Sequence, residues 1–353
     1  MGLRIADWPP GVLASLRRGV VIPAHPLALD ARRQLDPRRQ RALARYYLDA
    51  GAGGLAVGVH TTQFAIREAG LYQPVLELAM DTVAEWARRP IVMIAGLVGR
   101  TDQAVREAQT ARGVGYHAGL LSLAAMKGAS EDELITHARA VAGEIPLVGF
   151  YLQPAVGGIL LSVAFWRRFA SIENVAAIKI APFNRYRTLD AVRGVVEADA
   201  ADRVTLYTGN DDHIVPDLVT PYQVPGKGGM ITVRIRGGLL GHWSIWVRNA
   251  VELLQQAQVA AAAHAVPADL LALDSHVTDC NAAIFDVANN FQGVIAGCHE
   301  VLRRQGLLEG IWCLDPAESL GPGQKEEIDR VSAAYPHLND DAFVRQNLAR
   351  WLA

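Results

Sequence analysis

Lys179 is the residue in this chain whose setting most favours chemistry. It follows the apolar run Val175-Ala176-Ala177-Ile178, and Ala181-Pro182-Phe183-Asn184 lie just beyond it. A Val/Ile/Ala run ending in a proline-containing loop reads as a buried parallel strand. A charged ammonium is costly there unless it is neutral or paired. Burial lowers an amine pKa and leaves a neutral nucleophile near neutral pH. A lysine at the C-terminal end of a barrel strand is therefore a candidate Schiff-base former. The alternative is a lysine that snorkels from the strand end into solvent.

Other residues join it if strand ends share one face. They are His60-Thr61-Thr62-Gln63, then Tyr151 with Leu152-Gln153-Pro154, and Gly209-Asn210-Asp211-Asp212-His213. Tyr151 is a candidate general acid/base. Thr61 and Thr62 bring two adjacent hydroxyls, with His60 beside them. Gly209 leaves room for substrate, and Asn210 and Asp211 are candidate readers of substrate hydroxyls. Each has an ordinary structural alternative: a packed tyrosine, a threonine turn, an Asn-Asp helix cap, a core histidine.

The elements that position these residues alternate along the chain. Short apolar runs predict strands over 19–23, 54–59, 91–95, 117–121, 146–151, 175–179, 203–207 and 228–233. Amphipathic patterns predict helices over 37–50, 74–88, 102–112, 131–142, 162–169, 186–198, 211–219 and 243–261. Eight strand–helix units fit a (β/α)8 TIM barrel, an α/β fold, whose active site gathers at the C-terminal strand ends. A doubly wound sheet is disfavoured, because Ala24-His25-Pro26-Leu27 after the first strand is no glycine-rich phosphate turn. The barrel is assigned to 1–262 and a C-terminal helical region to 263–353, with helices over 269–280, 282–305, 325–334 and 340–352.

Composition narrows the class. The 353 residues are 51% hydrophobic, and 34 Lys+Arg against 36 Asp+Glu give a net charge of −2. Without a basic block, nucleic acid is not the expected partner. Cys280, Cys298 and Cys313 are widely spaced and read as reduced thiols. Asp274, His276, Cys298 and His299 fit no zinc spacing, so no metal is expected. Trp243 and Trp246 read as packing residues, and Arg185 and Arg187 as solvated loop charges. The N-terminus lacks a signal-peptide apolar region and no stretch is long enough to span a membrane, so a soluble cytoplasmic protein is expected.

From about Val20 to Val233 the chain resembles the dihydrodipicolinate synthase / N-acetylneuraminate lyase superfamily of class I aldolases. The resemblance is carried by the segments 146–154 and 174–179, by the separation of Tyr151 from Lys179, by Thr61-Thr62 and by Tyr207-Thr208-Gly209-Asn210-Asp211. It departs where Gly58-Val59-His60-Thr61-Thr62-Gln63-Phe64 replaces Gly-Thr-Thr-Gly-Glu, where Leu152 replaces an asparagine, and where Val156 replaces the synthase arginine. The last change argues against true dihydrodipicolinate synthase activity. The resemblance implies an imine on Lys179, proton shuttling by Tyr151, a small-molecule 2-oxo acid whose carboxylate is held by Thr61 and Thr62 (or by His60 in one hydroxyl's place, if the alignment slips by one residue), an aldehyde partner, no cofactor, and a homo-oligomer, either a dimer or a tetramer. Three outcomes stay open: an aldolase or lyase, a dehydratase or hydratase-aldolase of a sugar-acid-like substrate, and a catalytically silent binding or regulatory barrel.

Overall fold

The computed structural model describes residues 2–353. Seven strands form one parallel sheet, in chain order: β1 (Gly54–Val57), β2 (Val92–Leu97), β3 (Ala118–Leu121), β4 (Leu147–Leu152), β5 (Val175–Ala181), β6 (Thr205–Thr208) and, after a hairpin, β9 (Ile235–Gly238). The hairpin is β7 (Tyr222–Gly226) and β8 (Gly229–Val233).

The eighth stave is the segment before β1, which joins the two ends of the sheet. Val21 pairs with Gly238 and Ala24 with Ala56, both in parallel. The Ile22 N–H donates to the Gly238 carbonyl at 3.0 Å, and the Ala56 N–H to that of Pro23 at 3.0 Å. Pro23 and Pro26 have no N–H to give, so this stave makes bridges and not a continuous ladder. The sheet closes as a parallel barrel with helices outside it, a (β/α)8 architecture with a C-terminal helical region.

Two expected elements are corrected. The run 228–233 is not the eighth barrel strand; it is β8, antiparallel to β7, and β9 takes the barrel position. The glycine-rich run Gly226-Lys227-Gly228-Gly229 turns the chain back, with Gly229 at φ +126°, a value favouring glycine. The single helix expected over 282–305 is broken. One helix ends at Ile284 and the next starts at Val294 (Ala268–Ile284, Val294–Arg304). Between them Asp286, Asn290 and Phe291 hold φ of +55°, +54° and +65°. The Asp286 carboxylate fixes the break by accepting the Gly293 N–H at 3.1 Å and bonding the Asn289 amide.

Alternation along the strands divides the core in two. Val92, Ile94, Leu120, Val148 and Ala176 fill the barrel, while Met93, Leu121, Leu147, Ile178 and Leu206 face the helices. The helix Pro10–Arg18 plugs the base, where the Tyr207 hydroxyl inside the barrel donates to the Leu16 carbonyl at 2.8 Å. Helix starts follow capping chemistry: Asp36 accepts the Arg39 N–H ahead of Pro37–Ala50, and Asn184 accepts the Arg187 N–H ahead of Arg185–Glu197. The tail is bonded to the barrel helices. The Trp351 indole N–H donates to Asp49 at 2.6 Å, and the Tyr46 hydroxyl to Asp340 at 2.6 Å. Trp243 and Trp246 are buried in the core. Among the described residues no helix is long and apolar enough to cross a membrane.

Candidate active site

Lys179 lies near the C-terminal end of β5, in register with Phe150 of β4 and Tyr207 of β6. Its neighbours Ile178 and Ile180 face the outer core, so Lys179 faces the barrel interior. It lines a cavity at the C-terminal strand ends, the barrel's site-bearing face. Its Nζ sits 4.4 Å from the Phe150 ring centroid and makes no hydrogen bond or ion pair among the described residues. Burial pushes the amine below the ordinary lysine value, and the charge of Asp211 partly restores it.

Asp211 and His60 line the same cavity. The expected helix over 211–219 starts only at Ile214, which leaves Asp211 in the turn after β6. Its Oδ1 is enclosed without a partner, and burial pushes its carboxyl up while Lys179 opposes the shift. His60 lines the cavity and remains an exposed residue. Desolvation and the charge of Lys179 both lower its pKa, so the imidazole is neutral at pH 7.

The remaining expected residues fall in several places. Thr61 lines the cavity, but its hydroxyl donates to the Ala24 carbonyl at 2.8 Å. Thr62 is buried away from it, donating to the His25 carbonyl at 2.6 Å and accepting the Gly58 N–H at 3.0 Å. Gly209 is at the wall, and the room it leaves goes to Lys179: a Cβ there would lie 2.7 Å from the lysine Cε. Asn210 is fully buried and spent. Its Oδ1 accepts the Phe183 N–H at 3.0 Å, and its amide donates to Asp217 at 2.8 Å and Thr188 at 3.2 Å.

Tyr151 is not in the cavity. It pairs with Ile180, packs in the outer core 5.0 Å from the Trp166 ring, and its hydroxyl donates to the Leu161 carbonyl at 3.2 Å. β4 alternates regularly, so Phe150, two residues after the inward-facing Val148, faces inward in its place.

Gln153, expected among the strand-end residues without an assigned role, lines the cavity; sequence reasoning missed Ser244, which lines it too, and Asp217, a buried carboxylate serving Thr208, Asn210 and Tyr222. Neither Gln153 nor Ser244 belongs to a spacing pattern. It also missed an aromatic wall of Phe64, Phe150, Phe183, Phe285 and Phe291. Leu152 and Val156 are lining residues as well. Among the described residues no cluster of three His, Cys, Asp or Glu side chains is placed to hold a metal ion.

Sequence comparison gives the family. The family model described as Dihydrodipicolinate synthetase family matches residues 18–236, from the end of the base helix into β9. The chain belongs to the dihydrodipicolinate synthetase family. It is accordingly a lyase of the class I aldolase type. This family member is 29% identical to the 4-hydroxy-tetrahydrodipicolinate synthase of Desulforudis audaxviator (strain MP104C), over 60% of this chain and 68% of that protein. It is 26% identical to the N-acetylneuraminate lyase of Citrobacter koseri (strain ATCC BAA-895 / CDC 4225-83 / SGSC4696), over 84% of this chain and 90% of that one. The crystal structure of dihydrodipicolinate synthase from Aquifex aeolicus superposes with a TM-score of 0.71 at 19% identity, covering 91% of this chain and 99% of that one. That last likeness is one of fold.

Proposed function

We propose that Lys179 forms an imine with a 2-oxo acid of the pyruvate type and that the protein makes or breaks the carbon–carbon bond beside it. One observation carries this reading: the Lys179 amine stands in the cavity with no hydrogen bond or ion pair among the described residues, and burial lowers its pKa to about 8, which raises the neutral, nucleophilic fraction.

The neutral amine adds to the ketone carbon, and loss of water gives a protonated imine. In the cleavage direction a base takes the proton of the 4-hydroxyl. The C3–C4 bond then breaks, its electrons move toward the imine nitrogen as an enamine, and an aldehyde leaves. Protonation at C3 and hydrolysis return pyruvate and the free amine. The iminium nitrogen is the electron sink, so the cycle needs neither metal nor nucleotide.

His60 and Asp211 line the cavity with Lys179 and are the proton carriers in this reading. Tyr151, whose hydroxyl is held by Leu161, keeps a packing role. The substrate carboxylate has Gln153 and Ser244 as donors beside Thr61. Thr62 and Asn210 hold the two loops in shape from behind.

A second reading keeps the imine and loses hydroxide from the substrate, as a dehydratase. It is favoured by Asp211, whose raised pKa suits an acid that protonates a leaving hydroxyl.

Cyanoborohydride trapping with pyruvate, followed by peptide mapping, tests the imine. The expected result is one reduced adduct on the peptide carrying Lys179, absent in Lys179→Met. An adduct that persists in the variant refutes the assignment. Product analysis then separates an aldehyde from loss of water.

A further inference from the structure

His60, Thr61, Gln153, Lys179, Asp211 and Ser244 are the polar side chains of the cavity lining, and the rest of it is apolar. Phe64, Phe150, Phe183, Phe285 and Phe291 line it together with Leu120. Leu152 and Val156 add to this surface from the end of β4 and the turn after it. Among the described residues Lys179 is the one cation in the lining. Nearby arginines are spent: Arg67 grips Glu107 at 2.9 Å through both Nε and Nη2, and Arg185 faces Asp212 and Asp217 at 3.4 Å.

Two of the wall aromatics are held in backbone conformations that bulky residues avoid. Phe183 has φ +51° and Phe291 φ +65°. Their rings meet edge to face with centroids 5.9 Å apart. Phe183 is fixed there by its N–H on Asn210, and Phe291 by its N–H on the Asp286 carbonyl at 2.9 Å. Strain of this kind persists only where the surroundings over-determine it, and it gathers at functional sites. Here two loops distant in sequence spend it on one aromatic contact in the cavity wall.

We propose that the part of the substrate beyond its 2-oxo acid head is an apolar, ring-bearing group. In the cleavage direction the substrate is a 4-aryl-4-hydroxy-2-oxo acid; in condensation the partner of pyruvate is an aromatic aldehyde. The bond changes are those given above, with the aryl aldehyde as the leaving fragment and no oxidant or reductant consumed. This chemistry rests on the imine reading, whereas the preference for the tail rests on the walls alone. A phosphate, second carboxylate or polyhydroxy tail would lose its water against these walls without a cation to replace it. An aromatic ring gains apolar burial and edge-to-face partners.

Calorimetric titration of the intact protein with 2-oxo-4-phenylbutanoate and with 2-oxoglutarate, which share a head and differ in the tail, tests the proposal. The phenyl compound is expected to bind more tightly by about tenfold or more, the scale of burying one ring. Equal affinities, tighter 2-oxoglutarate, or no binding of either compound overturns it. The same preference is expected in Lys179→Met, where no imine forms; its disappearance there also overturns the proposal. Phe291→Ser, at a position a small residue occupies with less strain, is expected to shrink the affinity ratio by about threefold or more. An unchanged ratio in folded variant counts against the wall. Pyruvate trapping run alongside reports the imine separately. Phenyl preference without an adduct removes the imine and keeps the apolar tail, and an adduct without phenyl preference does the reverse.

Discussion

Gly209 and Lys179 pack against each other across neighbouring strand ends, so closely that a Cβ on residue 209 would stand 2.7 Å from the lysine Cε and 2.7 Å from the Ala181 Cβ. The glycine is the space in which the lysine lies. Gly209→Ala should therefore displace the amine while leaving the barrel folded. The expected outcome is a pyruvate-trapping rate lower by about tenfold or more, with a stability loss of about 1–3 kcal/mol from overpacking. Trapping kinetics and thermal melts check it; a rate equal to wild type would mean the lysine does not need that space.

The hydroxyl of Tyr151 is engaged with the Leu161 backbone outside the barrel. Tyr151→Phe should cost about 1 kcal/mol of stability, the worth of a typical buried hydrogen bond, and change turnover by less than about threefold. A hundredfold fall in kcat with unchanged stability would instead put that hydroxyl among the reacting groups.

Asp211 raises the Lys179 pKa against the effect of burial. Removing its charge should let the amine lose its proton at lower pH. In Asp211→Asn the rise of trapping rate with pH should have a midpoint lower by about half a unit or more. A midpoint displaced upward would contradict the electrostatic coupling of the two groups.

His25, His242 and His299 are buried, and burial pushes each down to about 4. Above about pH 6.5 each is neutral whether folded or unfolded, and none affects stability. As pH falls from 6.5 towards 4 the unfolded chain takes up protons that the folded chain refuses, so stability falls. Each contributes up to about 1.4 kcal/mol per pH unit in that window. The raised carboxyls of Asp211, Asp274, Glu318 and Asp340 work in the opposite sense, while His60, His117 and His137, lowered as well, add to the histidine side. Melting temperatures across pH 7 to 4.5 should drop steadily; a flat profile would mean the histidines are protonated in the folded state.

The lysine was legible because an apolar strand ending in a proline loop is a local pattern, and the barrel because its units can be counted. Residues 228–233 misled that count, since a hairpin strand and a barrel strand carry the same apolar composition. Tyr151 and Phe150 are adjacent, and one step of register decides which enters the barrel. Asn210 read as a substrate contact because its turn resembles one, but its amide is consumed by Asp217, a partner made available only by the turn of the chain. The tail aromatics lie more than a hundred residues beyond Lys179, and a helical pattern over 282–305 concealed the break that carries two of them inward.

Phe285, Phe291 and Val294 reach the cavity from a stretch that contributes no strand to the barrel. None of the ladder hydrogen bonds of the sheet runs through it, so its length and sequence can vary without reopening the closed staves. The Lys179 amine and one wall of the cavity thus belong to separable parts of the chain. A graft of residues 285–294 between relatives is a route to moving ligand choice while the lysine and its strand stay as they are.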